Sequence, residues 1–159
     1  MIRPASLTDA RAIAELESRV WHRNWDHIAT AETVRDADVL EAGWLEVLKD
    51  GAGQFVWVQE DRIAGVVSAV HAHGDDVGGG VAEIVVLMVD PPAQLSGIGV
   101  ALHDHILDTL AEGRLDRVVA WVHEEDEAGT EFLADRGWEP DGEVDVVRAA
   151  PMLRMARDL

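Results

Sequence analysis

Cysteine is absent from this 159-residue chain, so disulfides, thiolate metal sites and cysteine nucleophiles are excluded. Lysine occurs once, at Lys49, which removes the Gly-Lys-Ser/Thr signature of a Walker phosphate loop. Basic residues are scarce throughout, 13 Lys and Arg against 31 Asp and Glu, for a formal charge of −18. Duplex binding rests on Lys and Arg neutralising phosphates, so a nucleic-acid partner is not expected. Such a surface attracts cations and amines, although a summed charge also reports plain solubility. Long apolar runs are missing too. The longest, Ile84–Val89, is far too short to cross a bilayer, and MIRPASLTDA lacks the apolar core of a signal peptide. A soluble, cytoplasmic protein without a membrane partner is expected.

Hydrophobic residues make up 48% of the chain, enough for a proper core, and the length suits a single domain spanning residues 1–159. After Ile2–Pro4, Thr8 can cap a helix beginning at Asp9. Ile13, Leu16 and Val20 follow at helical spacing, and Trp21 and Trp25 extend that face by a turn. A second start at Thr30–Glu32 leads to a stripe of Val39, Leu40, Trp44, Leu45 and Leu48, stopped by Gly51 and Gly53. Gln54–Glu60 and Arg62–Gly74 are β-branched runs around a tight polar turn and predict a hairpin. Val81–Asp90 predicts a strand that is apolar on both faces after Glu83. A helix from about Gly97 to Gly113, a strand at Asp116–His123, a short helix stopped at Gly137 and two short strands around Pro151 complete the order. The sum is an α/β fold, a mixed sheet with helices on its faces.

Between the Val81–Asp90 strand and the next helix lies PPAQLSGIG. A dinucleotide fingerprint needs a third glycine where Leu102 stands, so that reading fails. Small residues still let a phosphate approach the backbone, and free amides at a helix start point toward it. A chain of −18 must hold an anion through such local amides. Taken alone, the pattern also fits an ordinary strand-to-helix turn.

The run Gln94-Leu95-Ser96-Gly97-Ile98-Gly99, following a strand that ends Val-Asp-Pro, resembles the acetyl-CoA-binding motif of the GNAT family of N-acetyltransferases. AEIVVLMVDP resembles that family's fourth strand, and VVAWVHEEDEAGTEFLADRGW its fifth strand, following helix and closing Gly-aromatic pair. The opening IRPASLTDARAIAELE and the ending RMARDL agree with it as well. The resemblance implies a GNAT-type domain: a mixed central sheet of about six to seven strands, flanked by about four helices and splayed between strands 4 and 5. Pantetheine would lie in that gap, held with the acetyl carbonyl by backbone groups of Leu87, Met88 and Val89. Amides of the loop and first helical turn, from Gln94, Leu95, Ser96 and Gly97 through Ile98, Gly99, Val100 and Ala101, would hold the pyrophosphate. Ser96 stands where an arginine is frequent, so the backbone would bear most of the binding. Asp126 replaces an asparagine on the coenzyme side. Acetyl-CoA is thus implied as the acyl donor, with no metal, and a primary amine on a small molecule or peptide as acceptor. A catalytically weak acyl-CoA-binding module, acting as sensor or interaction domain, is the alternative. The oligomeric state is open, a homodimer included.

Direct attack by an amine poses one dominant problem. With a pKa near 10.4, only about one amine in a few thousand is neutral at pH 7, a scarcity of roughly 4–5 kcal/mol. The departing thiolate, with a pKa near 8.5, leaves with less help. A base therefore matters more than an acid. Glu83 matches the glutamate that serves as base in the histone-acetylating branch, though a strand-end carboxylate also serves structural pairs. The family's usual general acid is a tyrosine at the position of Leu133, and this chain has no tyrosine. Water, His123 or Ser96 could substitute.

Trp21 and Trp25 share a face in a region that lines the acceptor side in the family, where an indole can hold a cationic amine. Core packing is the other use of such a pair. His71-Ala72-His73 has a metal-capable spacing but no placed third ligand. His103 and His105 read as surface residues, and Arg136 as a surface residue within possible reach of a coenzyme phosphate.

Overall fold

The computed structural model describes residues 1–27, 36–49, 51–72, 79–147 and 150–159. Seven strands form one sheet: β1 (Ile2–Pro4), β2 (Gln54–Gln59), β3 (Arg62–His71), β4 (Val81–Val89), β5 (Arg117–His123), β6 (Glu139–Val147) and β7 (Ala150–Asp158). Their spatial order is β1-β2-β3-β4-β5-β7-β6. Every neighbouring pair is antiparallel except β4 and β5. Among the described residues four α-helices pack on the faces: α1 (Ala10–Val20), α2 (Ala37–Lys49), α3 (Ile98–Glu112) and α4 (Glu127–Ala134).

Strand alternation explains why the sheet needs helices on both sides. In β3, Val66 packs with Ile13, Leu16, Val20, Trp44 and Leu48 of α1 and α2. The next residue, Val67, points the other way, to Leu102 and Ile106 of α3, with Trp138 and Met155. Successive side chains alternate faces, so a strand buried on both sides reads as a continuous apolar run. Gly65 lets α3 sit close: a Cβ there would lie 2.8 Å from Leu102 Cδ1 and 2.9 Å from Ile98 Cγ2.

Several sequence expectations are refined. The first helix is entered through a 3-10 turn at Leu7–Asp9 rather than a Thr8 cap. The reason is Asp9, whose carboxylate accepts the Ser6 amide at 2.8 Å and a bidentate Arg3 at 2.7 and 2.9 Å. The Arg3 guanidinium holds Asp9 down at a pKa of about 2. The second start at Thr30–Glu32 lies outside the described residues. In α2 only Trp44 and Leu48 of the expected stripe are buried, whereas Val39 and Leu45 are exposed. The hairpin turns on Glu60 and Asp61, both at positive φ, the geometry that matches strand twist in a two-residue turn. Pro151 does not separate two short strands. It is the second residue of nine-residue β7, opposite Val146, a strand start where its missing N–H is tolerated.

His103 is not a surface residue. It stands one turn before Ile106 on the buried face of α3 and is 0% exposed. Its Nε2 accepts the Trp138 indole N–H at 2.9 Å, and its Nδ1 lies 2.8 Å from Asp104. Burial pushes its pKa down, opposed by Asp104 and assisted by Arg136 and Arg157. The unfolded chain therefore takes up a proton below about pH 6.5 that the folded one resists. Stability should be full above that pH and fall as acid carries the solution toward the lowered value. Melting followed at pH 7.5 and 6.0 should show the loss, and His103→Gln should flatten it. An equally steep decline in that variant would refute the assignment.

Candidate active site

The site begins where the sheet opens. Strands β4 and β5 pair only at Val81–Glu83 with Arg117–Val119. Beyond Glu83 they diverge into a cleft of about 230 Å³. Its walls are Ile84–Met88 of β4 and Ala120–His123 of β5, with Met152 of β7 behind them. Trp21 and Trp25 close it from the first helix, and Asp126, Gly129, Phe132 and Leu133 from the start of α4. Parallel strands that part leave ladder groups unpaired along the gap, so a ligand with amides can complete the sheet.

At the end of β4 the chain enters the loop before α3. Asp90 is gripped by Arg19 through two bonds of 3.0 and 3.1 Å, which ties the loop to α1. The Gln94 amide donates to the Val89 carbonyl at 3.1 Å, and Ser96 Oγ to the Ala93 carbonyl at 2.5 Å. These side chains thus brace the loop from within. Gly97 caps α3 in the left-handed region at φ 87, with no side-chain cap bond. The Ala101 amide makes the first intrahelical bond, to Gly97. Amides of Ile98, Gly99 and Val100 precede it at the positive end of a 15-residue helix. Leu95, also at positive φ, is fully exposed at the loop apex. The helix start abuts the cleft, since a Cβ on Gly99 would lie 3.5 Å from Val89 and 3.6 Å from Phe132.

Trp21 and Trp25 occupy a π-helical turn, Trp21–Trp25, that continues α1. Such turns recur at functional sites because they realign side chains within a helix. The two indoles meet edge to face at 5.0 Å. Trp25 Nε1 donates to Asp126 Oδ2 at 3.0 Å, while Asp126 Oδ1 caps α4 through the Gly129 amide at 3.0 Å. Gly129 permits this, because a Cβ there would lie 2.4 Å from Asp126 Oδ2. Asp126 thus joins the two walls. Behind Trp21, Glu17 accepts the Trp44 indole at 2.6 Å. Burial pushes its pKa up, against the hydrogen bonds from Trp44 and Trp21.

Glu83 stands at the closed end of the splay. It lines an adjoining cavity of about 270 Å³ with Trp121, Asp145 and Met152, which shares Ile84 and Val85 with the cleft. The structure therefore brings Leu87, Met88, Trp21, Trp25 and Asp126 into one cleft. The 94–101 loop lies at its margin and Glu83 at its inner end. Sequence reasoning missed Glu17, Trp121, Asp145 and Met152. Only Glu17, one turn before Trp21, carried a signal, as an acidic residue beside an otherwise apolar face. Arg136 stacks 3.8 Å over Phe132 and donates to its carbonyl. His73 lies outside the described residues, and among those described no group of three or more His, Cys, Asp or Glu could hold a metal.

A model of the acetyltransferase (GNAT) family matches residues 10–138. No curated protein matches the sequence. Among solved structures, a ribosomal-protein-alanine N-acetyltransferase from Brucella melitensis superposes with a TM-score of 0.81 at 21% identity, covering 100% of this chain and 99% of that one. The PaiA N-acetyltransferase from Thermoplasma acidophilum, in complex with coenzyme A, gives 0.77 at 14% identity over 100% and 98%. The yncA protein from Salmonella typhimurium, with its cofactor acetyl-CoA, gives 0.76 at 20% identity over 100% and 93%. At these identities the likeness is one of fold.

Proposed function

Because the chain belongs to the acetyltransferase (GNAT) family, we propose that it transfers acetyl from acetyl-CoA to a primary amine by direct attack. The observation that carries this reading is the parallel β4–β5 pair, which opens after three residues into a cleft beside the uncapped start of α3. Pantetheine would lie along Leu87, Met88 and Val89. Amides of Ile98, Gly99 and Val100 would take the pyrophosphate, with Gly97 giving access and Gln94 holding the loop. Acetyl-CoA supplies the activated thioester; Glu83 receives the proton that the amine must lose. Trp21 and Trp25 flank the acceptor, and Asp126 fixes Trp25 and α4 on opposite sides of the thioester. The acidic surface favours a cationic acceptor.

Thiol release from acetyl-CoA tests this with a panel of polyamines, aminoglycosides, amino acids and peptides. Turnover on at least one is expected. Leu133, where the resemblance places a tyrosine, favours a second reading in which the domain binds acyl-CoA without useful transfer. Tight acetyl-CoA binding with no turnover on any amine would select that reading. Failure to bind acetyl-CoA would remove both.

A further inference from the structure

We propose that His123 protonates the departing thiolate, in the place of the missing phenol; the inference rests on the transferase reading above. Its position follows from strand register. Glu83 is opposite Val119, the last of three parallel pairs. Carrying that register four residues further sets Leu87 against His123 across the opened gap. Leu87 begins the backbone segment assigned to the acetyl carbonyl and pantetheine, so the thioester sulfur lies between the two strands at this level.

The side chain itself is unlike a structural histidine. His103 shows what one looks like in this fold, fully buried with both ring nitrogens engaged. His123 lines the cleft, its Nδ1 is buried without a hydrogen-bond partner, and the edge of Trp21 steadies its ring at 6.1 Å. A buried polar atom without a protein partner that faces a cleft is available to a bound group. Leu133, at the tyrosine position, lines the same cleft. Asp126, ahead of α4, is the other titratable residue that lines the cleft, and Glu83 lines the adjoining cavity. Strand β7 presents Met152.

The amine nitrogen bonds to the acetyl carbon, the carbon–sulfur bond breaks, and its electron pair goes to sulfur. The imidazolium gives a ring proton to that sulfur. The extra proton on nitrogen leaves through Glu83, and His123 regains a proton from solvent.

The test uses full-length protein, acetyl-CoA and whichever amine of the panel turns over. His123→Gln should lower kcat about 10²-fold while the KM for acetyl-CoA changes less than about threefold. Adding Leu133→Tyr to His123→Gln should restore at least tenfold of the lost rate. An unchanged kcat, a loss confined to KM, or a deficit that Leu133→Tyr does not reduce would overturn the role of His123 and leave the transferase standing. No turnover by the wild type with any amine would overturn both.

Discussion

The Glu83→Gln variant is expected to transfer acetyl about 10²–10⁴-fold more slowly than the wild type at pH 7, with acetyl-CoA binding retained. The reason lies in the amine. A bound acceptor with a pKa near 10.4 arrives charged, and its lone pair is free only after a proton has been removed, a task worth roughly 4–5 kcal/mol at neutral pH. Glu83 reaches the inner end of the splay from β4, in the cavity it shares with Trp121 and Asp145, where an amine can approach the thioester from the side opposite the loop. Glutamine keeps the shape and removes the proton acceptor. The variant then depends on amine that is already neutral, so its deficit should shrink about tenfold for each pH unit until the amine itself titrates. Initial rates from pH 6.5 to 9.5 would show this. A deficit that stays constant across that range would mean that Glu83 orients the acceptor rather than deprotonating it. No deficit at all would remove Glu83 from the reaction.

Much of the fold was legible because its signals are local. Alternating β-branched runs gave the β2–β3 hairpin, and the apolar run of β4 gave a strand buried on both faces. Glycines marked the ends of α2, α3 and α4. Local pattern misleads where tertiary contacts outvote it. Thr8 is a good cap by type, but Arg3 on β1 draws Asp9 into a bidentate pair and shifts the start of the helix. His103 is polar by type, yet it is buried because Phe132 of α4 and Trp138 close over it. Pro151 suggested a break, yet a strand start does not require its N–H.

The site divides along the same line. The loop from Gln94 to Gly99 is contiguous, so its glycine at the helix start could be read directly. The cavities that Glu83 and His123 line are assembled from several strands, β4 to β7, and no spacing rule links Glu83 to Asp145 or His123 to Leu87. Those relations depend on where a parallel pair stops after three residues, which is set by the packing of the sheet. Similarly, Trp25 and Asp126 are 101 residues apart, and only the fold turns them into a bridge across the cleft.

The Gly97→Val variant is expected to lose at least 10²-fold in affinity for acetyl-CoA while remaining folded. Gly97 sits at φ 87 at the head of α3. A left-handed conformation costs an L-residue about 1–2 kcal/mol, and more when the side chain is β-branched. Within the protein a Cβ at this position meets nothing within 4 Å. The damage therefore falls on the backbone path and on whatever occupies the open space outside it. Were this an ordinary turn, the strain would appear only as a modest drop in melting temperature. If the amides of Ile98, Gly99 and Val100 hold a pyrophosphate, the same rotation misaims charge-assisted hydrogen bonds, each worth about 1.5–3 kcal/mol. Two acyl donors separate the cases. Acetyl-CoA carries the pyrophosphate, whereas acetyl-pantetheine has only the part that lies along Leu87–Val89. Gly97→Val should weaken the first strongly and the second by less than about threefold, as measured by calorimetry or by the KM in thiol release. Gly97→Ala should fall between, since it adds strain without β-branching. Equal losses for both donors would show that the substitution collapses the cleft as a whole. No loss for either would mean that the helix start is not the phosphate cradle, and that the coenzyme enters the splay another way.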